Sequence, residues 1–318
     1  MESYLPANPA VAAAVLGALL LALLAGGAVA LRAPVAAARA TAWTVLSLGT
    51  AGVERLTSAE PAGFRMLALI GFALLALKAV VVAEERANGM EPLPFGRWIA
   101  FAAGWLGMQP RLFARPRRGP LPGARELAAR GAMWLAAGLA LVAGARLAWT
   151  TGHSRTLATL LALPGLSLAV HFGLCNLLAA GWRALGVPCD ALFRAPLRSA
   201  SLAEFWGRRW NLAFSEMTAI AVYRPLSPRL GRASALLAAF LLSGLLHEMA
   251  ISLPVRAGFG LPLLYFALHG MLVLVERARA RAGHLWTIGW LLLPLPLLFH
   301  RPFLAGIVWP LLGIPPGG

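Results

Sequence analysis

Charge is what this 318-residue chain has least of: 13% of its residues are Asp, Glu, Lys or Arg, against about 25% in a soluble domain. The charge that remains is one-sided. Twelve acidic residues face 28 basic ones, for a net charge of +16, and Lys78 is the single lysine. Cysteine is equally scarce. Cys175 and Cys189 form no CxxC pair and no Cys/His spacing that would hold zinc, which excludes a disulfide framework and a structural metal site. Both read as packing residues. Long polar stretches are missing too, so no separate soluble domain, low-complexity tail or internal repeat is expected.

What is present is apolar. Hydrophobic residues make up 59% of the chain and the mean hydropathy is +0.74. A water-soluble fold could not hide that much apolar surface, so lipid is its expected solvent. The runs are rich in Leu and Ala and about twenty residues long, the length of a membrane-crossing helix. The short alternating segments of a β-barrel are absent. The fold class expected is all-α, a polytopic integral membrane protein with about eight transmembrane helices around a buried chamber. The spans are placed at 9–31, 63–83, 94–108, 131–148, 157–181, 233–253, 259–275 and 284–305. The third is short enough to be re-entrant, and the weakly apolar 41–53 is expected at the interface. With no basic n-region before it and Glu2 as the only early charge, the first run reads as a retained span.

The arginines test this count. They concentrate in 109–130, in 182–232 and in 276–283, where Arg277, Arg279 and Arg281 lie. With the spans above, these three loops share one side, and the arginine-poor linkers 149–156 and 254–258 share the other. The positive-inside rule puts the basic loops in the cytoplasm and both termini outside. The pI near 11.7 therefore signals orientation and contact with anionic lipid, and nucleic acid is not expected as a partner. The whole of 1–318 is read as one membrane domain, with its best-supported core at about 95–305. Segment 182–232 is read as interfacial or cytoplasmic.

The signatures of soluble hydrolases, nucleotide-binding and dinucleotide-binding enzymes are missing: no GxSxG, Walker loop or GxGxxG. Nor is there a His pair followed by Asp. Chemistry must instead come from polar residues inside apolar spans. In Ser243-Gly244-Leu245-Leu246-His247-Glu248 an imidazole and a carboxyl sit in a Leu-rich helix, where an ionisable group costs about 2.5–3.5 kcal/mol on insertion scales. Ser243 and His247 share a helix face and Glu248 points about a hundred degrees away. The small residues at 243 and 244 leave space beside the ring. His247 is either a general base in a membrane chamber or a helix-packing histidine. His171 and His269 also fall inside spans, where packing or lining suffices; His153, His284 and His300 lie near span ends. The run Phe205-Trp206-Gly207-Arg208-Arg209-Trp210-Asn211 reads, from periodicity alone, as an interfacial anchor of tryptophan and arginine.

These two runs together resemble the membrane-bound O-acyltransferase superfamily, in wording close to its wax synthase branch. Gly107-Met108-Gln109-Pro110, Tyr223-Arg224-Pro225 and Leu268-His269-Gly270 are similar to that branch as well. The strong likeness covers about 190–275. The resemblance implies a catalytic pair, His247 and Asn211, and acyl transfer from acyl-CoA to the hydroxyl of a lipophilic alcohol. Diacylglycerol, a sterol or a glycan are the alternative acceptors. Phe205, Trp206, Arg208, Arg209, Trp210, Ser243 and Glu248 are the expected substrate-binding residues. Acyl-CoA is expected as co-substrate, with no further cofactor and no metal. The expected place is a bacterial inner membrane, or its equivalent in the endoplasmic reticulum. A proton-coupled transporter would use His247 and Glu248 as a relay. It would also be expected to spread polar residues over several spans and to show a repeat; the sequence shows one strong polar site and no repeat.

Overall fold

The computed structural model describes residues 2–152, 154–279 and 283–315, with side chains left aside at 29–32 and 279. His153 and Arg281 lie outside the described residues, so of the third basic loop only the Arg277 side chain is described. Among the described residues every regular element is helical. Asn8 starts α1 (Pro9–Arg32) by accepting a hydrogen bond from Ala10 N at 2.9 Å, with proline at the first helical position, where its missing N–H is not needed. Then come α2 (35–56), α3 (Ala62–Ala87), α4 (Phe95–Gly104), α5 (Ala124–Thr150) and α6 (Arg155–Ala184). Beyond a long irregular stretch lie α7 (Leu212–Val255), α8 (Leu261–Arg279), α9 (His284–Leu298) and α10 (Arg301–Leu311).

Six of these are long and apolar enough to cross a membrane, and a seventh span arises if α9 and α10, bent by 67°, count as one. The protein is thus a multi-pass integral membrane protein, but the expected eight spans are revised to six or seven among the described residues. Two segments account for the change. The 94–108 run forms only the ten-residue α4, about 15 Å at 1.5 Å per residue and half of a bilayer core. The 41–53 segment, expected at the interface, is instead the middle of α2, which packs along α3 and is about 33 Å long. Arg39, Glu54, Arg55 and three threonines lower its hydropathy, and it is not among the six apolar spans.

Polar contacts sort the helix ends onto two faces. On one face Glu84 binds Arg39 at 2.8 Å, Glu85 binds Arg111 and, at 3.1 Å, Arg224, and Arg117 N donates to Gly186 O at 2.9 Å. On the opposite face Ser3 and Tyr4 donate to Gly306 O and Ile307 O at 2.9 and 2.8 Å. Arg65 donates to Pro254 O at 2.8 Å there, and the Arg155 guanidinium lies 5.2 Å from the Trp309 ring. The first and second basic loops share the first face.

α3 is the hub. Leu69, Phe72, Ala76, Val80 and Ala83 are all buried along it, while Leu16, Leu20 and Leu24 of α1 are exposed at the four-residue spacing of one helix face. That exposed stripe suits lipid contact. Lipid offers no hydrophobic gain between helices, so close packing must supply the attraction. α5 and α6 show how: a Cβ on Gly138 would sit 2.4 Å from Ala169 N, and one on Gly165 would sit 3.0 Å from Gly138 O.

Candidate active site

α7 carries the centre of the site and is not one straight helix. At 44 residues it would be about 66 Å long, twice a bilayer core. It breaks at Gly231, whose φ of 78° is strained for a residue with a Cβ. The portion after the break matches the expected 233–253 span. His247 lies sixteen residues beyond Gly231, deep in that portion and half-buried.

Two aromatic rings hold the imidazole, Phe266 of α8 at 4.2 Å and Phe214 of α7 at 5.3 Å between centroids. Its Nδ1 lies 2.7 Å from the carbonyl of Ser243. A carbonyl only accepts, so Nδ1 carries the proton and Nε2 of the neutral ring keeps a free lone pair. Ser243 therefore acts on His247 through its backbone. Its hydroxyl turns away, donating to Ala239 O at 3.1 Å.

The space expected beside the ring at 243–244 is taken. A Cβ on Gly244 would lie 2.8 Å from the Leu263 side chain, so this glycine lets α8 close on α7 one turn before His247. Glu248 fastens the same contact, its Oε1 accepting from Leu263 N at 3.0 Å. That N–H is one of those a helix start leaves unpaired. Glu248 Oε2 is buried without a partner.

Segment 182–232, expected at the interface, dips inward from the basic face: Cys189, Leu192, Phe193, Leu202 and Phe205 are buried. Two tethers pull it in. Glu276 of α8 accepts from Leu202 N at 2.8 Å, from Ala203 N at 3.1 Å and from Trp286 Nε1 at 3.1 Å. Leu212 N donates to Leu192 O at 2.9 Å. Phe205 stacks on Trp210, centroids 5.5 Å apart, and Trp210 packs edge-on against Phe193 and His171 at 5.0 and 5.3 Å. Trp206 points to the other side, against Phe266 at 5.4 Å. Phe266 is thereby shared between Trp206 and His247, which joins the two sequence runs in space.

Asn211 is where the segment enters α7. Its φ of 44° is left-handed, a conformation asparagine tolerates better than most residues. Its Oδ1 accepts from Phe214 N at 3.4 Å, so it caps the helix whose first turn bears the Phe214 ring against His247. Arg209 is committed nearby, to Glu204 at 2.6 Å and to the carbonyls of Arg194 and Ala195 at 3.3 Å. The Ala200 N–H first, and Arg209 second, hold the Glu204 carboxyl below its ordinary value. Arg208 is exposed. The expected binding residues thus divide: Trp206, Trp210 and Phe205 line the aromatic wall, Arg208 faces outward, and Arg209 and Glu248 fasten the backbone.

Four contributors were not singled out from sequence. Phe214 and Phe266 clamp the imidazole. Lys78, fully buried in α3, donates to Gly107 O and sits 4.0 Å over the Phe101 ring. Glu216 of α7 accepts from Met108 N at 3.1 Å and Gln109 Nε2 at 2.6 Å. The Gly107-Met108-Gln109 stretch is therefore a clasp between α3 and the helix that Asn211 caps. A cleft of about 190 Å³ opens beside it, lined by Trp105, Gln109, Asp190, Arg194, Leu212 and Glu216 among others.

The match to a known family falls on this same region. Residues 189–268 match the membrane bound O-acyl transferase family, a stretch that runs from the buried loop through Asn211 and His247 to Leu268. Over these residues the chain is similar to the membrane-bound O-acyltransferases. It is 36% identical over 107 residues to the long-chain-alcohol O-fatty-acyltransferase of Simmondsia chinensis, covering 31% of this chain and 30% of that protein. It is 35% identical over 112 residues to the probable long-chain-alcohol O-fatty-acyltransferase 2 of Arabidopsis thaliana, covering 32% and 33%. The acyl-CoA–sterol O-acyltransferase 1 of the same plant is 32% identical over 94 residues, covering 26% and 27%. The matched part thus spans about a third of the length of these curated relatives or less.

Proposed function

We propose that the protein is a membrane-bound O-acyltransferase that transfers a fatty acyl group from acyl-CoA to the hydroxyl of a lipophilic alcohol, with a long-chain alcohol as acceptor and a wax ester as product. One observation carries the reading: His247, deep in an apolar helix, has its Nδ1–H bound by the Ser243 carbonyl, which leaves Nε2 as a proton acceptor. Nε2 takes the proton from the alcohol as its oxygen attacks the thioester carbonyl carbon. The carbon–sulfur bond then breaks and the proton passes to the sulfur, giving ester and free CoA thiol. Asn211 Oδ1 is used by the cap, so its side-chain N–H₂ is the group free to steady the oxygen on which negative charge builds. The aromatic wall keeps water away, so alcohol rather than water accepts the acyl group.

The donor enters from the basic face, which we place toward the cytoplasm. Arg208 is exposed there to meet phosphate, and Leu212, the residue after Asn211, lines the cleft. The chemistry calls on no metal or additional cofactor. Identity to named long-chain-alcohol enzymes supports this acceptor, and the sterol enzyme's lower identity over a shorter stretch makes sterol the second reading. The test is purified protein given labelled palmitoyl-CoA with hexadecanol, diacylglycerol or sterol in parallel. Ester formed chiefly with hexadecanol is expected. Ester formed chiefly with another acceptor would overturn the wax ester reading, and none with any acceptor would overturn acyl transfer to lipids.

A further inference from the structure

Acyl transfer as proposed above makes no use of Lys78, of Glu216 or of the Gly107-Met108-Gln109 turn between them. Lys78 lies six residues before Glu84 on α3, about 9 Å inside the basic face, and has no exposed surface. Taking an ammonium out of water is costly, and an apolar residue of similar volume would stabilise α3 at least as well. The surroundings of Lys78 are nonetheless those of an ammonium. Gly107 O accepts from Nζ, the Phe101 ring lies 4.0 Å away, and the Glu216 carboxylate is near enough to act on its charge. From the other side, Glu216 accepts from Met108 N at 3.1 Å and from Gln109 Nε2 at 2.6 Å. Opposite charges thus grip one turn of backbone from its two sides.

What Glu216 holds is the start of α7. Residues 212–218 are separated from the rest of that helix by a π-helical stretch, Ala219–Tyr223, and then by the break at Gly231. A seven-residue helix is too short to be stable alone, so its side ties set its place. Ser215 Oγ donates to Trp206 O, and Leu212 N donates to Leu192 O at 2.9 Å. The clasp supplies a further tie. Glu216 and Leu212 are one helical turn apart on the same face, and both line the cleft with Gln109. Leu212 follows Asn211 directly. A pull on Glu216 is therefore a pull on the helix end from which the Asn211 amide extends.

We propose that Lys78 and Glu216 are positioning residues, which place the Asn211 amide through the Gly107-Met108-Gln109 turn. This rests on the role given to that amide above, and the test tells the two apart.

Glu216→Gln keeps the shape, removes the charge and leaves one acceptor oxygen for two N–H donors. Ester formation from labelled palmitoyl-CoA and hexadecanol is measured in lipid nanodiscs, with the full-length protein and with Asn211→Asp as the two backgrounds. In the first, Glu216→Gln is expected to lower kcat about tenfold to a hundredfold, the scale of a misplacement of about 1 Å. KM for palmitoyl-CoA should stay within about twofold. In Asn211→Asp, where the amide is already gone, the further loss should be under about twofold. Lys78→Met should behave likewise, and combined with Glu216→Gln it should lose no more than the worse single change. Gln109→Met is the milder variant, removing one bond of the clasp; it should lower kcat about threefold or more, again only where Asn211 is present. Amide hydrogen exchange, read without turnover, should quicken in 212–218 in each clasp variant and stay unchanged in α5. Equal losses in both backgrounds, with Asn211→Asp itself slow, would overturn the proposal and leave the acyl transfer reading standing. So would unchanged exchange in 212–218, or a normal kcat in Glu216→Gln. Normal turnover in Asn211→Asp is the separate failure: it would sink the role of the amide, and the proposal with it.

Discussion

Replacing Asn211 by aspartate separates the two jobs of its side chain, capping and hydrogen-bond donation. The cap uses Oδ1, which accepts from Phe214 N at 3.4 Å, at the long end for such a bond. Aspartate caps helices as well as asparagine does and is among the residues tolerant of a left-handed backbone, such as the φ of 44° at this position. Asn211→Asp should therefore cost under about 1 kcal/mol of stability. Catalysis should respond differently, because the variant loses the N–H donors and places negative charge where negative charge develops. Removing a single donor of this kind costs about 10²–10³ in turnover. The assay is paired: thermal unfolding in nanodiscs, and ester formation from labelled palmitoyl-CoA and hexadecanol. A midpoint close to that of the unsubstituted protein with turnover down by about two orders of magnitude or more is expected. Normal turnover in Asn211→Asp would refute the role of the amide and leave Asn211 as a cap alone.

Other consequences follow from the packing and the ionisable groups outside the spans. Gly138→Leu drives a side chain into the α6 backbone, and overpacking of this kind costs about 1–3 kcal/mol or more; a lowered unfolding midpoint checks it. Glu276→Ala strands the amides of Leu202 and Ala203, at about 2 kcal/mol or more. It should loosen the 202–209 turn, read as faster proteolysis of that segment. Burial pushes the Cys189 thiol up to about 12, so maleimide at pH 8 should label it only after unfolding. The Glu204 carboxyl titrates below its ordinary value of 4.5, so the stability it lends is complete above that pH and is lost as pH falls through the lower folded value. Glu204→Gln should flatten that acid limb in a pH-dependent melting series.

Much of this architecture is legible in the residues. Length and apolarity give the spans that cross singly, because in lipid a helix must satisfy its own backbone and run the full thickness. Length and apolarity mislead at α2 and α4. Apolarity is high in 94–108, but the helix stops at Gly104; apolarity is low in 35–56, but α3 supplies a partner along its length. At the site, His247 is conspicuous because a lone imidazole among leucines has few reasons to be there. Phe214 and Phe266 are not, since one Phe among many carries no sign of which ring it will face. Lys78 did carry a signal, as the only lysine and one placed within a span. Its partner, the Gly107 carbonyl, belongs to a backbone turn whose fold the composition does not reveal.

Whether His247 is the base is decided by single-turnover ester formation in nanodiscs, comparing the unsubstituted protein with His247→Ala at matched unfolding midpoints. If Nε2 takes the proton, the variant should lose about 10²–10⁴ in rate while still taking up labelled acyl-CoA. Ester made by folded His247→Ala at the rate of the unsubstituted protein would rule the imidazole out as the base.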